Sequence, residues 1–192
     1  MRRFDAIQRA VRLAGDRPIV GNLGPTSDEL WHAGHRDRNF YTYGNMGLVS
    51  SLALGMSLAT EEQIIALDGD GSLLMNLGSL ATIAREKPRN LIVVVYDNEA
   101  WGQTGHQMSH TGTGTDLEKV AVSCGIASAT TVNDLEEYEG ALANALATDG
   151  PHLIIAKVEE AGYLPISPVE PEFTLHRFRN TFVEAQQPQP PQ

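Results

Sequence analysis

A carboxylate at Asp70, inside Gly69-Asp70-Gly71-Ser72, and an amide at Asn98, directly after Asp97, are the residues of this chain best suited to chemistry. Magnesium takes hard oxygen ligands in an octahedron and keeps few protein side chains when phosphate oxygens are present. One carboxylate oxygen, one amide oxygen and a backbone carbonyl just beyond Asn98 would supply the protein's share. Gly71 and Ser72, at the start of a helix, would offer N–H groups and a hydroxyl to a diphosphate. A Gly-Asp-Gly turn and an Asx turn are each common alone. Their pairing across one helix and one strand makes a site.

For the two to meet, the elements between them must alternate. Residues 63–67 read as a buried strand ending at Asp68-Gly69-Asp70-Gly71, residues 73–84 as a helix, and residues 91–96 as a β-branched central parallel strand. Asp70 and Asn98 then stand at the carboxyl ends of adjacent strands, where open α/β sheets bind ligands. Elsewhere, Phe4, Ile7, Ala10, Val11 and Ala14 recur at helical spacing, and residues 17–23 form a strand closed by Gly24-Pro25. Thr26 or Ser27 is placed to cap a short helix. An extended piece at 39–43 leads to a helix over 48–59, rich in small and apolar residues and expected to be buried on most sides. Thr115 with Glu118, and Asn133 with Glu136, have capping-box spacing ahead of two further helices, and strands follow at 126–132 and 152–158. The alternation predicts an α/β fold with a doubly wound, mostly parallel sheet and helices on both faces. It implies one domain over residues 1–184, followed by a disordered Gln/Pro tail over 185–192.

Composition narrows the function. The 192 residues carry a formal net charge of −10, which argues against a nucleic-acid surface but leaves room for a local anion site. The single Cys124 excludes a disulfide framework or a cysteine-built metal centre within the chain and reads as a small buried hydrophobe. No apolar run is long enough to span a bilayer, and no signal-peptide core follows the start, so no membrane association and a cytoplasmic location are expected. Gly69-Asp70-Gly71-Ser72-Leu73-Leu74 lacks the third glycine of a dinucleotide fingerprint, and there is no Walker-A sequence. His106 and His110, in the glycine-rich stretch past Asn98, suit either a substrate-facing or proton-transfer role or plain solvation; they lack a third partner for zinc.

Gly69-Asp70-Gly71-Ser72 through Asp97-Asn98 resembles the diphosphate-binding motif of thiamine-diphosphate enzymes, in which Gly-Asp-Gly is followed about 25 residues later by Asn-Asn. Asp97 replaces the first Asn, while Asn98 retains the usual metal ligand. The resemblance implies thiamine diphosphate and Mg²⁺ as cofactors, with metal ligands Asp70, Asn98 and the carbonyl of Ala100. Diphosphate contacts would come from Gly69, Gly71, Ser72, Trp101 and Gly102, with Thr26 and Ser27 as further contacts or as caps. Gly44-Asn45-Met46-Gly47 is similar to the segment that cradles the aminopyrimidine, with the Gly44 carbonyl accepting from its amino group and Met46 wedged between the rings.

Asn22 through Leu30, Gly78 through Ile83 and Thr115 through Ala121 are most like the β subunits of sulfopyruvate decarboxylases, and next like phosphonopyruvate decarboxylases. The family's activating Glu resides in a separate pyrimidine-binding domain, so the resemblance implies half an active site completed by an α subunit. It further implies a hetero-oligomer, a small anionic 2-oxoacid substrate and decarboxylation. A non-catalytic cofactor-binding subunit, or an oxidoreductase subunit passing electrons onward, are the competing readings.

Overall fold

The computed structural model describes residues 1–159, 164–168 and 170–184; the expected Gln/Pro tail lies outside them. Six parallel strands form the main sheet: β1 (Ile19–Gly21), β2 (Asn39–Tyr41), β3 (Ile64–Gly69), β4 (Leu91–Asp97), β7 (Ser128–Val132) and β8 (His152–Lys157). Their spatial order is β2-β1-β3-β4-β8-β7. A short antiparallel pair, β5 (Ala100–Trp101) with β6 (Gln107–Met108), follows β4 as a hairpin. Central β4 pairs with β3 from Ile64↔Leu91 to Gly69↔Tyr96, and with β8 from Ile92↔His152 to Asp97↔Lys157.

Helices cover both faces, which is why β4 is buried along its whole length. Ile92, Val94 and Tyr96 face one core with α1 (Arg3–Ala14), α2 (Pro25–Gly34) and α7 (Leu135–Ala147). Leu91, Val93 and Val95 face the other with α3 (Val49–Ala59), α4 (Asp70–Leu74), α5 (Gly78–Glu86) and α6 (Leu117–Cys124). The period of two in the strand thus serves two separate cores. The expected doubly wound sheet is present.

Several local expectations are corrected. The helix expected over 73–84 is two helices, because Asn76 leaves the helical ladder and its amide holds the Gly47 carbonyl at 3.0 Å. Neither Thr26 nor Ser27 caps α2, which starts on Pro25; Ser27 Oγ instead donates back to the Asn22 carbonyl at 2.6 Å. The caps of α6 and α7 are Asp116 and Asp134, each one residue beyond the expected Thr115 and Asn133. A short Asp side chain reaches the first free N–H groups as well as Thr or Asn does, so spacing alone could not choose. α3 leaves Gly55 and Leu58 exposed instead of burying most of its surface, and Cys124 is half-buried.

A helix absent from the sequence reading, α8 (Pro171–Glu184), closes the β2 edge. Phe178 meets Phe40 edge-on at 5.2 Å, and Arg177 donates to the carbonyls of Arg36 and Asn39, both at 2.7 Å. Covering an edge strand in this way removes a template for pairing with another chain. Among the described residues no helix is long and apolar enough to cross a membrane.

Candidate functional site

From β1 the chain moves outward to β2, and β3 then lies on the other side of β1. This reversal opens a crevice beyond the carboxyl ends of β1 and β3. The pocket found there is lined by Asn22, Thr26 and Met46, by Gly69, Asp70, Gly71 and Ser72, and by Asn98, Ala100, Trp101 and Gly102. Asp70 and Asn98 therefore share one pocket. Arg3, Leu23, Pro25, Tyr96 and Gln103 complete its wall.

Asp70 opens α4 and is almost wholly buried. Its Oδ2 accepts from Ser109 Oγ at 2.5 Å, and Thr111 Oγ1 lies 3.2 Å from the same oxygen and 2.8 Å from Ser109 Oγ. Burial raises the Asp70 carboxyl above its ordinary range; the Asp97 carboxylate adds to that effect, whereas bonds from Ser109, Gly71 N–H and Thr111 oppose it. A divalent cation beside this carboxylate would reverse the balance. Asn98 Oδ1 accepts from Ala100 N–H at 3.3 Å, an Asx turn that leaves a second lone pair on the amide oxygen.

Asp97, which stands where the motif has its first Asn, does not line the pocket. Its Oδ1 accepts from Thr111 Oγ1 at 2.7 Å and from Glu99 N–H at 3.0 Å, and its Oδ2 pairs with Lys157 Nζ at 2.8 Å. Lys157 also donates to Glu99 at 2.7 Å. Burial lowers the Lys157 ammonium pKa, but the bonds to Asp97 and Glu99 outweigh it and hold that pKa above its ordinary value. Lys157, Asp97, Thr111 and Asp70 thus form one chain of contacts behind the pocket, which fixes the Asp70 carboxylate.

The two expected motifs touch: Gly47 N–H donates to Ser72 Oγ at 3.0 Å. Gly47 has a positive φ of 82°, and an added Cβ would meet Met75 Cβ at 3.2 Å. At Gly71 an added Cβ would lie 2.9 Å from Trp101 Cε3, so only a bare backbone fits beneath that ring.

Five expected site residues do not line the pocket. Ser27 is buried in the first turn of α2, and Gly44 and Asn45 are off the pocket wall, Gly44 exposed with φ 69°. His106 and His110 are exposed on and after the β5–β6 hairpin, His110 edge-on to Trp101 at 6.1 Å. Among the described residues no group of three His, Cys, Asp or Glu side chains could hold a metal.

The sequence reading missed Ser109 and Thr111, which contact Asp70 only through tertiary folding. It also missed Asn22, which the strand-end rule applied to β1 would have found.

Residues 20–156 match the family model described as thiamine pyrophosphate enzyme, C-terminal TPP binding domain. The chain is 46% identical to the sulfopyruvate decarboxylase subunit beta of Methanocaldococcus jannaschii, covering 88% of this chain and 92% of that one. It is 39% identical to the phosphonopyruvate decarboxylase of Streptomyces hygroscopicus, covering 86% of this chain and 42% of the other. Its fold superposes on a thiamine diphosphate-dependent 4-hydroxybenzoylformate decarboxylase of Rhodococcus jostii with a TM-score of 0.71, at 24% identity, covering 83% of this chain and 33% of that one. With Asp70 and Asn98 on one pocket at the switch point of the sheet, and with the match running through most of the chain, this protein belongs to the family of thiamine pyrophosphate enzyme C-terminal TPP-binding domains.

Proposed function

We propose that this chain is the β subunit of a thiamine-diphosphate- and Mg²⁺-dependent 2-oxoacid decarboxylase acting on sulfopyruvate. The observation that carries the reading is its 46% identity to a sulfopyruvate decarboxylase β subunit over nearly the whole of both chains. The donor set fits the cofactor. Asp70, Asn98 and a backbone carbonyl at Ala100 are hard oxygen ligands suited to magnesium, and Gly71 and Ser72, on the same pocket wall at the start of α4, carry N–H groups suited to phosphate oxygens.

In this reading Asp70, Asn98 and the Ala100 carbonyl hold the metal. Gly69, Gly71, Ser72, Thr26, Trp101 and Gly102 hold the diphosphate. When bound, thiamine diphosphate supplies the electron sink that lets carbon dioxide leave a 2-oxoacid. The chain's own work is positional: the Lys157–Asp97–Thr111 contacts fix Asp70, Trp101 covers the Gly-Asp-Gly turn, and Met46 limits the pocket on the side toward Gly44.

The activating Glu and the second wall of the site come from a pyrimidine-binding α subunit. Tyr43, at 75% exposure, and Leu48 and Met75, also exposed, surround the Gly44–Met46 segment as an apolar surface suited to that partner. His106 and His110, exposed on and after the β5–β6 hairpin, are available to substrate in the assembled complex. The test is decarboxylation by the chain reconstituted with its α partner, comparing sulfopyruvate, phosphonopyruvate and pyruvate. We expect sulfopyruvate to give the highest kcat/KM. A preference for phosphonopyruvate would reassign the substrate, and no turnover of any 2-oxoacid despite cofactor binding would leave a non-catalytic subunit.

A further inference from the structure

Among the described residues lining the pocket, Arg3 is the one cation, in a chain of net charge −10. It begins α1 and shares the pocket wall with Asp70 and Asn98. Its Nε and Nη2 form a fork onto Glu29 of α2, at 2.8 and 2.9 Å. Glu29 is buried, with a side-chain exposure of 3%, and does not line the pocket, whereas Arg3 does. The pair is therefore an oriented dipole whose positive end faces the pocket and whose negative end is held back between helices. Its Nη1 has no hydrogen-bond partner among the described residues.

We propose that Arg3 is a binding residue for the anionic phosphate end of the ligand, held in aim by Glu29. The inference rests on the reading of the pocket as a thiamine diphosphate site. A diphosphate ester carries more negative charge than one Mg²⁺ neutralises, and Asp70 adds another negative charge to the same pocket. A guanidinium suits this task because it is always charged and presents a rigid set of donors to phosphate oxygens. Tethering by a buried carboxylate removes the rotamer freedom that a loose arginine would lose on binding.

The experiment uses the full chain reconstituted with its α partner and reads cofactor binding by calorimetry at saturating Mg²⁺, apart from turnover. Arg3→Gln alone strands the Glu29 carboxylate, so Arg3→Gln/Glu29→Gln is the main variant, with Arg3→Lys beside it and thermal melts checking the fold of each. The double variant is expected to bind thiamine diphosphate and Mg²⁺-pyrophosphate about 10- to 100-fold more weakly. Thiamine without phosphates should bind it as it binds the parent, the salt dependence of diphosphate binding should lessen, and Arg3→Lys should recover part of the affinity. Unchanged pyrophosphate affinity in the folded double variant, with the parent binding normally, overturns this inference alone. So does a rise in KM for the 2-oxoacid with cofactor affinity intact, which would assign Arg3 to the substrate's anion instead. A parent complex that takes up no thiamine diphosphate overturns the site reading and this inference together.

Discussion

The two ends of the pocket differ in completeness. At the Gly69–Ser72 end a network within the chain ties most of the buried groups: Ser109 and Thr111 hold Asp70, Thr111 and Lys157 hold Asp97, and Ser72 holds Gly47, while Asp68 Oδ2 has no hydrogen-bond partner. At the Gly44–Met46 end the chain is open. Nothing lies within 4 Å of the Cβ position of Gly44, Tyr43 projects into solvent, and the buried Asn45 Oδ1 has no hydrogen-bond partner. The difference lies in how many contacts within the chain hold each end.

The sharpest break in that comparison is Asp70→Ala, which removes the carboxylate on which the closed end converges. We expect Mg²⁺-dependent affinity for thiamine diphosphate to fall at least ~100-fold, read by calorimetry on the assembled complex. Retained affinity would mean that the closed end is a structural network and not a cofactor site.

Asp68, at the same end, is wholly buried, and burial pushes its carboxyl up to about 6 from 3.8, with the Gly69 N–H opposing. The folded chain then keeps a proton that the unfolded chain has lost. Its contribution to stability is full below pH 4 and disappears as pH rises through about 6. In the metal-free chain this group should cost up to about 3 kcal/mol of stability between pH 4 and 6. Denaturant unfolding across that range should show the slope flattened in Asp68→Asn, and an equal slope in the variant would contradict the assignment.

Lys157→Met strands the Asp97 carboxylate behind the pocket. Because Lys157 is partly exposed, the loss is expected to be about 1–2 kcal/mol, less than for a fully buried pair, read by urea unfolding at neutral pH. At the open end the effects should be smaller. Gly44→Ala meets no neighbour, so only the positive φ opposes it, and a loss of about 1 kcal/mol or less is expected in the same assay. A much larger loss would mean that the Gly44 end is packed within this chain after all.

Legibility in the sequence followed the range of the forces involved. Strand β4 was readable from residues 91–96 because a strand buried on both faces must be apolar throughout. The Asp70–Asn98 pair was readable because it needs only two strand ends and a parallel order. The positions of the helix caps and the break after Leu74 were misread, since the choices there turn on single hydrogen bonds, Asn76 to Gly47 among them.

The amino-acid order by itself determined the alternating α/β pattern, the parallel sheet and the two strand-end residues of the site, because period and local turn chemistry act over a few neighbours. Only the tertiary structure decided that Ser109 and Thr111 return to hold Asp70, that Asp97 supports the site from behind, and that Arg3 enters the pocket wall. Each of those contacts joins residues distant in the chain, and their geometry exists only once both cores have packed against the sheet.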